Sequence, residues 1–254
     1  RYHGVTQASV TLGYLADTIE KEYSDYSALK LNMIREDEPL GTAGCVKTAA
    51  ADFNEPFFVI SGDAMCDFDL SKIMKFHKAS GAKITIVASE SSDPREYGIV
   101  KVDKENRVIG FVEKPSWSQA VSNLANTGVY VVNPECLELI PKGRRYDFAK
   151  DLFPLMLERD MPIFCYHTAD YWCDVGNVEA YMKCQRDVFD GKINAPFGAV
   201  ADGIFVKESM PNGDFSVIPP VYIGEGVEIG EGAVIGPYAV IDDNCCVERN
   251  ARIR

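Results

Sequence analysis

Six branched apolar residues, Ile223, Ile229, Ile235, Ile241, Val247 and Ile253, recur at intervals of six near the end of the chain, and few folds accept that period. It is neither the 3.6-residue repeat of a helix nor the strict alternation of a strand. Two positions before each stands a short side chain, Val221, Val227, Ala233, Ala239, Cys245 and Ala251, and Gly224, Gly230 and Gly236 follow the first three. A triangular parallel β-helix needs this pattern, with one hexad per face and each inward side chain stacked on its counterpart one coil along. An irregular pair of valine-rich sandwich strands would not require every six-residue step to match. The spacing therefore predicts a short left-handed parallel β-helix over 217–254. Repeat arrays usually need about three units or a cap, so the repeat is expected to continue past Arg254.

Upstream the rhythm differs. Short β-prone runs alternate with amphipathic ones, which predicts an α/β domain over 1–191, a Rossmann-like mixed sheet flanked by helices. Strands are expected at Ala8 to Leu12, Leu29 to Arg35, Pro56 to Ser61, Lys83 to Ser89 and Val129 to Val132, with an antiparallel hairpin from Gly98 to Glu113. Helices are expected at Leu15 to Tyr23, Thr42 to Asp52, Leu70 to Ala79, Phe148 to Glu158 and Val178 to Val188. The unbroken apolar run Pro56 to Ser61 reads as a strand buried on both faces. Residues 192–216 read as a loop-rich linker.

Charge and cysteine content narrow the function. The net charge is −12, from 38 acidic against 26 basic residues, and the bases are scattered. No basic stripe marks a nucleic-acid footprint, so nucleic acid is not expected as a partner. An anionic ligand would need a divalent cation or a local basic loop to offset the repulsion. Eight cysteines without a C-x-x-C pair are too dilute for a disulfide scaffold, and a reducing cytoplasm fits them best. No apolar stretch approaches the roughly 18 residues of a membrane span, so no membrane association is expected. The sequence opens at Arg1 in the middle of an element, and an N-terminal piece is expected to be missing.

Several short motifs carry candidate chemistry, each beside a plainer reading. Gly41 and Gly44 lie at a strand-to-helix turn, where a flat or anionic ligand could approach bare backbone; the plainer reading is an ordinary helix start with Thr42 as its cap. Asp63 ends an apolar strand and Asp174 lies between an apolar run and a helix. Two carboxylates from different strand ends suit magnesium, but they also suit a turn and a helix cap. Glu113 and Lys114 end a hairpin strand, so only one faces a pocket unless Pro115 forces an early turn. Asn126 could hold a hydroxyl or close an Asx-turn.

In their order along the chain, "EDEPLGTAG", "FFVISGD", "EYGIVKVDKENRVIGFVEKP", "NTGVYVVNPE", "YDFAKDLFP" and "YWCDVGNVEAY", followed by isoleucine hexads, closely resemble the sugar-1-phosphate nucleotidyltransferases, above all the bacterial mannose-1-phosphate guanylyltransferase type. The resemblance implies that a nucleoside triphosphate and a sugar-1-phosphate are joined with release of pyrophosphate, through Mg²⁺ and without a covalent protein nucleophile. It implies that Asp63 and Asp174 hold the magnesium and that Leu40, Gly41, Thr42 and Gly44 line the base pocket. It further implies that Gly98, Glu113 and Asn126 contact the sugar and that Lys114 neutralises its phosphate. Glu38 is the acid expected to meet guanine donors. The family's glycine-arginine phosphate loop does not occur here, which places the lost piece at the first βα unit. A homo-oligomer is expected. Alternatives are a glucose-1-phosphate thymidylyl- or uridylyltransferase, or a non-catalytic regulatory relative. A hexapeptide acyltransferase would need a histidine in the repeat, whereas His3, His77 and His167 all lie outside it.

Overall fold

The computed structural model describes residues 3–119, 122–193, 199–201 and 203–254. The chain divides into two units, Arg1–Ala64 with Phe68–Trp172, and Met65–Asp67 with Cys173–Arg254.

The first unit is a mixed α/β layer structure. Strands β1 (Gln7–Leu12) and β2 (Lys30–Arg35) pair in parallel, and helix α1 (Ala16–Glu22) connects them. Arg35 at the end of β2 ties that helix down through Asp17 at 2.6 Å and Glu20 at 2.5 Å. Helix α2 (Gly41–Ala49) follows, then β3 (Phe57–Ile60) and α3 (Leu70–Ser80); between them β4 (Ala64–Cys66) passes into the second unit at Met65. The remaining elements of the sheet are β5 (Ile84–Glu90), β6 (Gly98–Val102), β7 (Val108–Glu113) and β8 (Leu124–Val132), then α4 (Phe153–Glu158) and β9 (Ile163–His167).

The principal sheet runs β7-β6-β8-β5-β9, with β3 also on β8. β5 and β9 are parallel; the other pairs are antiparallel. One edge of β8 is shared, with β6 pairing at Ala125 and β3 pairing from Val129 to Val132. β5 takes the other edge, and the ladder is interrupted between its Ile86–Tyr130 and Ala88–Asn126 pairs. Across that interval β5 supplies only Val87, while β8 supplies Thr127, Gly128 and Val129. The result is a wide bulge of the kind that re-aims side chains beside functional sites.

Burial follows pairing more closely than hydrophobicity. β5, paired on both edges, is buried from Ile84 to Val87 with no exposure at Ile84, Ile86 or Val87. β3 was expected to be the strand covered on both faces, yet it is only half-buried and Ile60 is 49% exposed. Among the described residues β3 has a partner on one edge alone, β8, and that accounts for the difference. The expected helix from Phe148 starts as a π-helical turn, Phe148–Leu152, and tightens into α4 at Phe153. Pro154 has no N–H, which suits a first helical turn. Phe148, Phe153, Leu152 and Met156 then fill the core beneath β5 and β8.

β10 (Trp172–Asp174), which passes into the second unit at Cys173, pairs with β4; helix α5 (Val178–Phe189) follows, and the hexads come after it. Every parallel pair among the hexads joins residues eighteen apart: Val221 with Ala239, Glu228 with Cys246 and Val234 with Arg252. One coil is thus three hexads, one per face. Val221, Ile223, Ala233 and Ile235 are completely buried along its axis. The span read as a linker contributes strands too. Ile204–Val206 lies parallel on Val221–Ile223 and antiparallel to Ala199–Ala201, so the stack begins earlier than the hexads indicate. Residues 194–198 and 202 of that span lie outside the described residues.

Candidate functional site

Three of the expected sugar-contacting residues lie in one row across the sheet. Gly98 on β6 pairs with Glu113 on β7, and the Ile99–Ala125 pairing sets Gly98 beside Asn126 on β8. Strands are spaced about 4.8 Å apart, so Glu113 and Asn126 flank a floor about 10 Å wide that bears no side chain at its centre. A Cβ at Gly98 would stand 2.5 Å from Phe111 Cζ and 2.7 Å from Glu113 Oε2. Glycine here lets the Glu113 carboxylate lean over the backbone.

Lys114 follows with φ 44°, and its N–H donates to Tyr97 O at 3.1 Å. This left-handed residue breaks the strand alternation before Pro115, so Glu113 and Lys114 are not forced to opposite faces. Lys114 is exposed and Glu113 half-buried.

Asp63 joins the same region through Ser61. The Ser61 hydroxyl donates to Asp63 Oδ1 at 2.5 Å, and its N–H donates to Gly128 O at 3.2 Å. Gly128 has φ 75°, and a Cβ there would press within 3.1 Å of Ser61 Cβ. The bulge in β8 is further braced by Thr127, whose hydroxyl donates to Val87 O at 2.8 Å and whose carbonyl accepts Trp172 Nε1–H at 3.1 Å. Tyr97 packs edge-on against Trp172 at 5.0 Å. Asn126 does close a local turn, accepting Gly128 N–H at 3.2 Å, while its Nδ2 donates to Tyr130.

Asp63 belongs to the first unit and Asp174 to the second. Asp174 is half-buried at the end of β10, and its Oδ2 lies 3.9 Å from where a Gly176 Cβ would stand. The cap of α5 is Asn177, which accepts Ala180 N–H at 2.8 Å, so capping does not account for Asp174. Among the described residues no three His, Cys, Asp or Glu side chains gather as a metal cluster. Each carboxylate by itself offers the hard oxygen donors that magnesium takes.

The Leu40–Gly44 turn is occupied differently from expectation. The N–H groups of Ala43 and Gly44 both donate to Tyr146 O at 2.9 Å, and that of Thr42 donates to Asp147 Oδ1 at 3.1 Å. Leu40 O accepts Tyr146 N–H at 2.8 Å, and the Thr42 hydroxyl accepts Phe148 N–H at 3.1 Å. A Cβ at Gly41, where φ is 73°, would stand 2.8 Å from Tyr146 O, and one at Gly44 would stand 3.0 Å from Arg144 O. The glycines accommodate the chain's own 144–147 segment, and the first amides of α2 are spent on it. Thr42 is not the cap; Leu40 is, without a side-chain bond.

One acid that sequence reasoning passed over lies beside this turn. Glu36, whose N–H donates to Leu12 O at 2.9 Å, keeps Oε1 buried with no hydrogen-bond partner among the described residues. It neighbours Cys45, whose thiol is pushed up first by burial and further by the Glu36 charge. Glu38, the acid singled out from the sequence, is exposed.

Residues 1–191 match the nucleotidyl transferase family. A UTP–glucose-1-phosphate uridylyltransferase of Synechocystis is 32% identical over 88% of this chain and 63% of its own length. A mannose-1-phosphate guanylyltransferase of Mycobacterium tuberculosis is 31% identical over 76% of this chain and 54% of its own. The chain thus spans roughly half to two thirds of the curated relatives it matches. A crystal structure of HddC from Yersinia pseudotuberculosis complexed with GMP-PN superposes with TM-score 0.62 at 28% identity, covering 73% of this chain and 80% of that one. A UDP-glucose pyrophosphorylase structure at TM-score 0.64 and 20% identity, over 74% of this chain and 83% of the other, shares the fold. On the family match and these identities, the chain belongs to the sugar-1-phosphate nucleotidyltransferase family.

Proposed function

We propose that the protein transfers a nucleotidyl group from a nucleoside triphosphate to a sugar-1-phosphate, forming a nucleotide sugar. An oxygen of the sugar phosphate attacks the α-phosphorus in line; the bond to the β-phosphate oxygen breaks, and pyrophosphate leaves with the electron pair. The observation that carries this reading is the row Glu113–Gly98–Asn126 with Asp63 tethered beside it, in a chain of this family. Glu113 and Asn126 hold sugar hydroxyls, the Gly98 backbone gives them room, and Lys114 neutralises the sugar phosphate. Asp63 on the first unit and Asp174 on the second would each offer a carboxylate to Mg²⁺, which would supply charge neutralisation at phosphate. Orientation of the two substrates accounts for the remaining acceleration.

The nucleotide lies at the Leu40–Gly44 turn. With the amides of Thr42, Ala43 and Gly44 already committed, base contacts fall to side chains and to the open face of the turn. Glu36 is better placed than Glu38 to accept the paired N–H donors of guanine, because a buried, unpartnered carboxylate oxygen gains most from a new donor. That favours GTP, and mannose-1-phosphate with it. UTP with glucose-1-phosphate is the second reading, favoured by the Synechocystis relative. The hexads form a left-handed coil that mediates homo-oligomerisation in the cytoplasm.

Pyrophosphate release measured for GTP, dTTP, UTP and ATP against mannose- and glucose-1-phosphate tests the proposal. GTP with mannose-1-phosphate should give the highest kcat/KM. A preference for UTP that Glu36→Gln leaves unchanged would remove the guanine assignment, and no release with any pair would remove the activity.

A further inference from the structure

In a straight strand, residues four apart are separated by about 13 Å, too far for one side chain to hold the other's polar group closely. The bulge in β8 shortens that path. Asn126 Nδ2 donates to the Tyr130 hydroxyl at 2.8 Å, although four positions separate them. The other end of the amide is also engaged, since Oδ1 accepts Gly128 N–H at 3.2 Å. The Gly128 bond distinguishes oxygen from nitrogen, because a flipped amide would set its NH₂ against the Gly128 N–H, whereas a hydroxyl takes either end.

Tyr130 is itself immobilised. It is 6% exposed, with Phe148 and Phe153 packed on its ring at 4.9 and 5.3 Å. Burial pushes its phenol up to about 12, with the Asn126 bond opposing it and the Glu113 charge assisting, so the hydroxyl stays neutral at ordinary pH. Asn126 retains one Nδ2 hydrogen and one Oδ1 lone pair, the donor and acceptor that a single hydroxyl needs. Glu113, across the row, can only accept.

We infer that Tyr130 is a positioning residue, which together with the Gly128 N–H holds the Asn126 amide still, so that one N–H and one lone pair remain for a sugar hydroxyl. The inference rests on the sugar-1-phosphate reading of this site. Tyr130 touches no substrate; it acts through Asn126.

The test is a double-mutant cycle in the intact protein, with kinetics and direct titration of mannose- and glucose-1-phosphate. Asn126→Ala and Tyr130→Phe should each raise KM and Kd for the sugar-1-phosphate about 5- to 30-fold, the loss of one or two hydrogen bonds. KM for the nucleoside triphosphate should stay within about twofold, and the double variant should be no worse than Asn126→Ala alone. If Asn126→Ala is impaired while Tyr130→Phe is normal, or if the two effects multiply, the inference is overturned and the sugar site stands. If Asn126→Ala leaves sugar binding unchanged, the sugar-site reading falls and takes the inference with it. Tyr130→Phe raising both KM values together would mark a purely structural role and also overturn it. Should Tyr130→Phe not fold, hydrogen exchange of the Asn126 side-chain amide in the unaltered protein decides. One protected and one fast hydrogen support the lock; two equally fast hydrogens refute it.

Discussion

Ser61 and Asp63 form a hydrogen-bonded pair, hydroxyl to carboxylate at 2.5 Å, at the point where β3 leaves the sheet. The bond commits one carboxylate oxygen, and the other is the one the proposed cation would take. Asp63→Asn should lower turnover by about 100-fold or more, since a neutral amide is a poor magnesium ligand. Ser61→Ala should lower it less and raise the magnesium concentration needed for half-maximal rate. Pyrophosphate release across a magnesium titration reads both. A normal rate for Asp63→Asn in protein of unchanged circular dichroism would refute the metal role.

Gly98→Ala addresses the sugar floor. The new methyl would meet the Phe111 ring edge at 2.5 Å and Glu113 Oε2 at 2.7 Å, so the carboxylate must swing away. Overpacking of this kind costs about 1–3 kcal/mol. A rise in KM for the sugar-1-phosphate is expected to exceed any change in that for the nucleotide. Equal shifts in both constants would contradict the assignment.

Gly41→Ala tests the clamp on α2. At φ 73° a non-glycine residue costs about 1–2 kcal/mol, and the methyl would face Tyr146 O, a backbone atom that cannot rotate aside, at 2.8 Å. The midpoint of thermal unfolding should drop by several degrees and nucleotide affinity should weaken with it. An unchanged midpoint would show that the 144–148 segment is not held here.

His77 predicts a pH dependence of stability. Its buried ring bridges Thr85 Oγ1 at 2.8 Å and Asn133 Oδ1 at 3.1 Å. Burial lowers its pKa from the ordinary 6.5, Lys78 assists, and the Asn133 bond opposes them. The folded state therefore binds this proton less readily than the unfolded chain. Its contribution is complete above about pH 6.5 and is lost as pH falls below that value. His77→Gln should flatten the decline in unfolding midpoint between about pH 7.5 and 5.5. Identical slopes in variant and parent would refute it.

The sequence reveals what is periodic or local and conceals what depends on distant partners. The hexads were readable because each buried position repeats at a fixed lag, and Ile223 pairs with Ile241 as that lag requires. Ile204–Val206 was not readable, because Ile204 pairs with Val221 at a lag of seventeen and the intervening segment breaks the pattern. Glu36 and Glu38 are the same residue type two positions apart, and burial alone separates them. The second duty of the glycines in the Leu40–Gly44 turn was not readable, because the neighbours they accommodate, Arg144 to Asp147, lie about a hundred positions away. Tyr130 gave no signal at all, since an aromatic residue in a strand reads as core, which it also is.

β8 lends its leading half to β6 and its trailing half to β3, with the bulge between. It therefore works as a seam: Glu113 reaches it through one neighbour and Asp63 through the other. A slip of β8 by one register would shift Asn126 relative to both acids at once, so neither spacing can be retuned alone by sliding backbone. If the proposed sugar site holds, divergence in preference proceeds by exchanging side chains on a fixed frame, and natural variants with altered preference should keep the length of the segment from Asn126 to Tyr130.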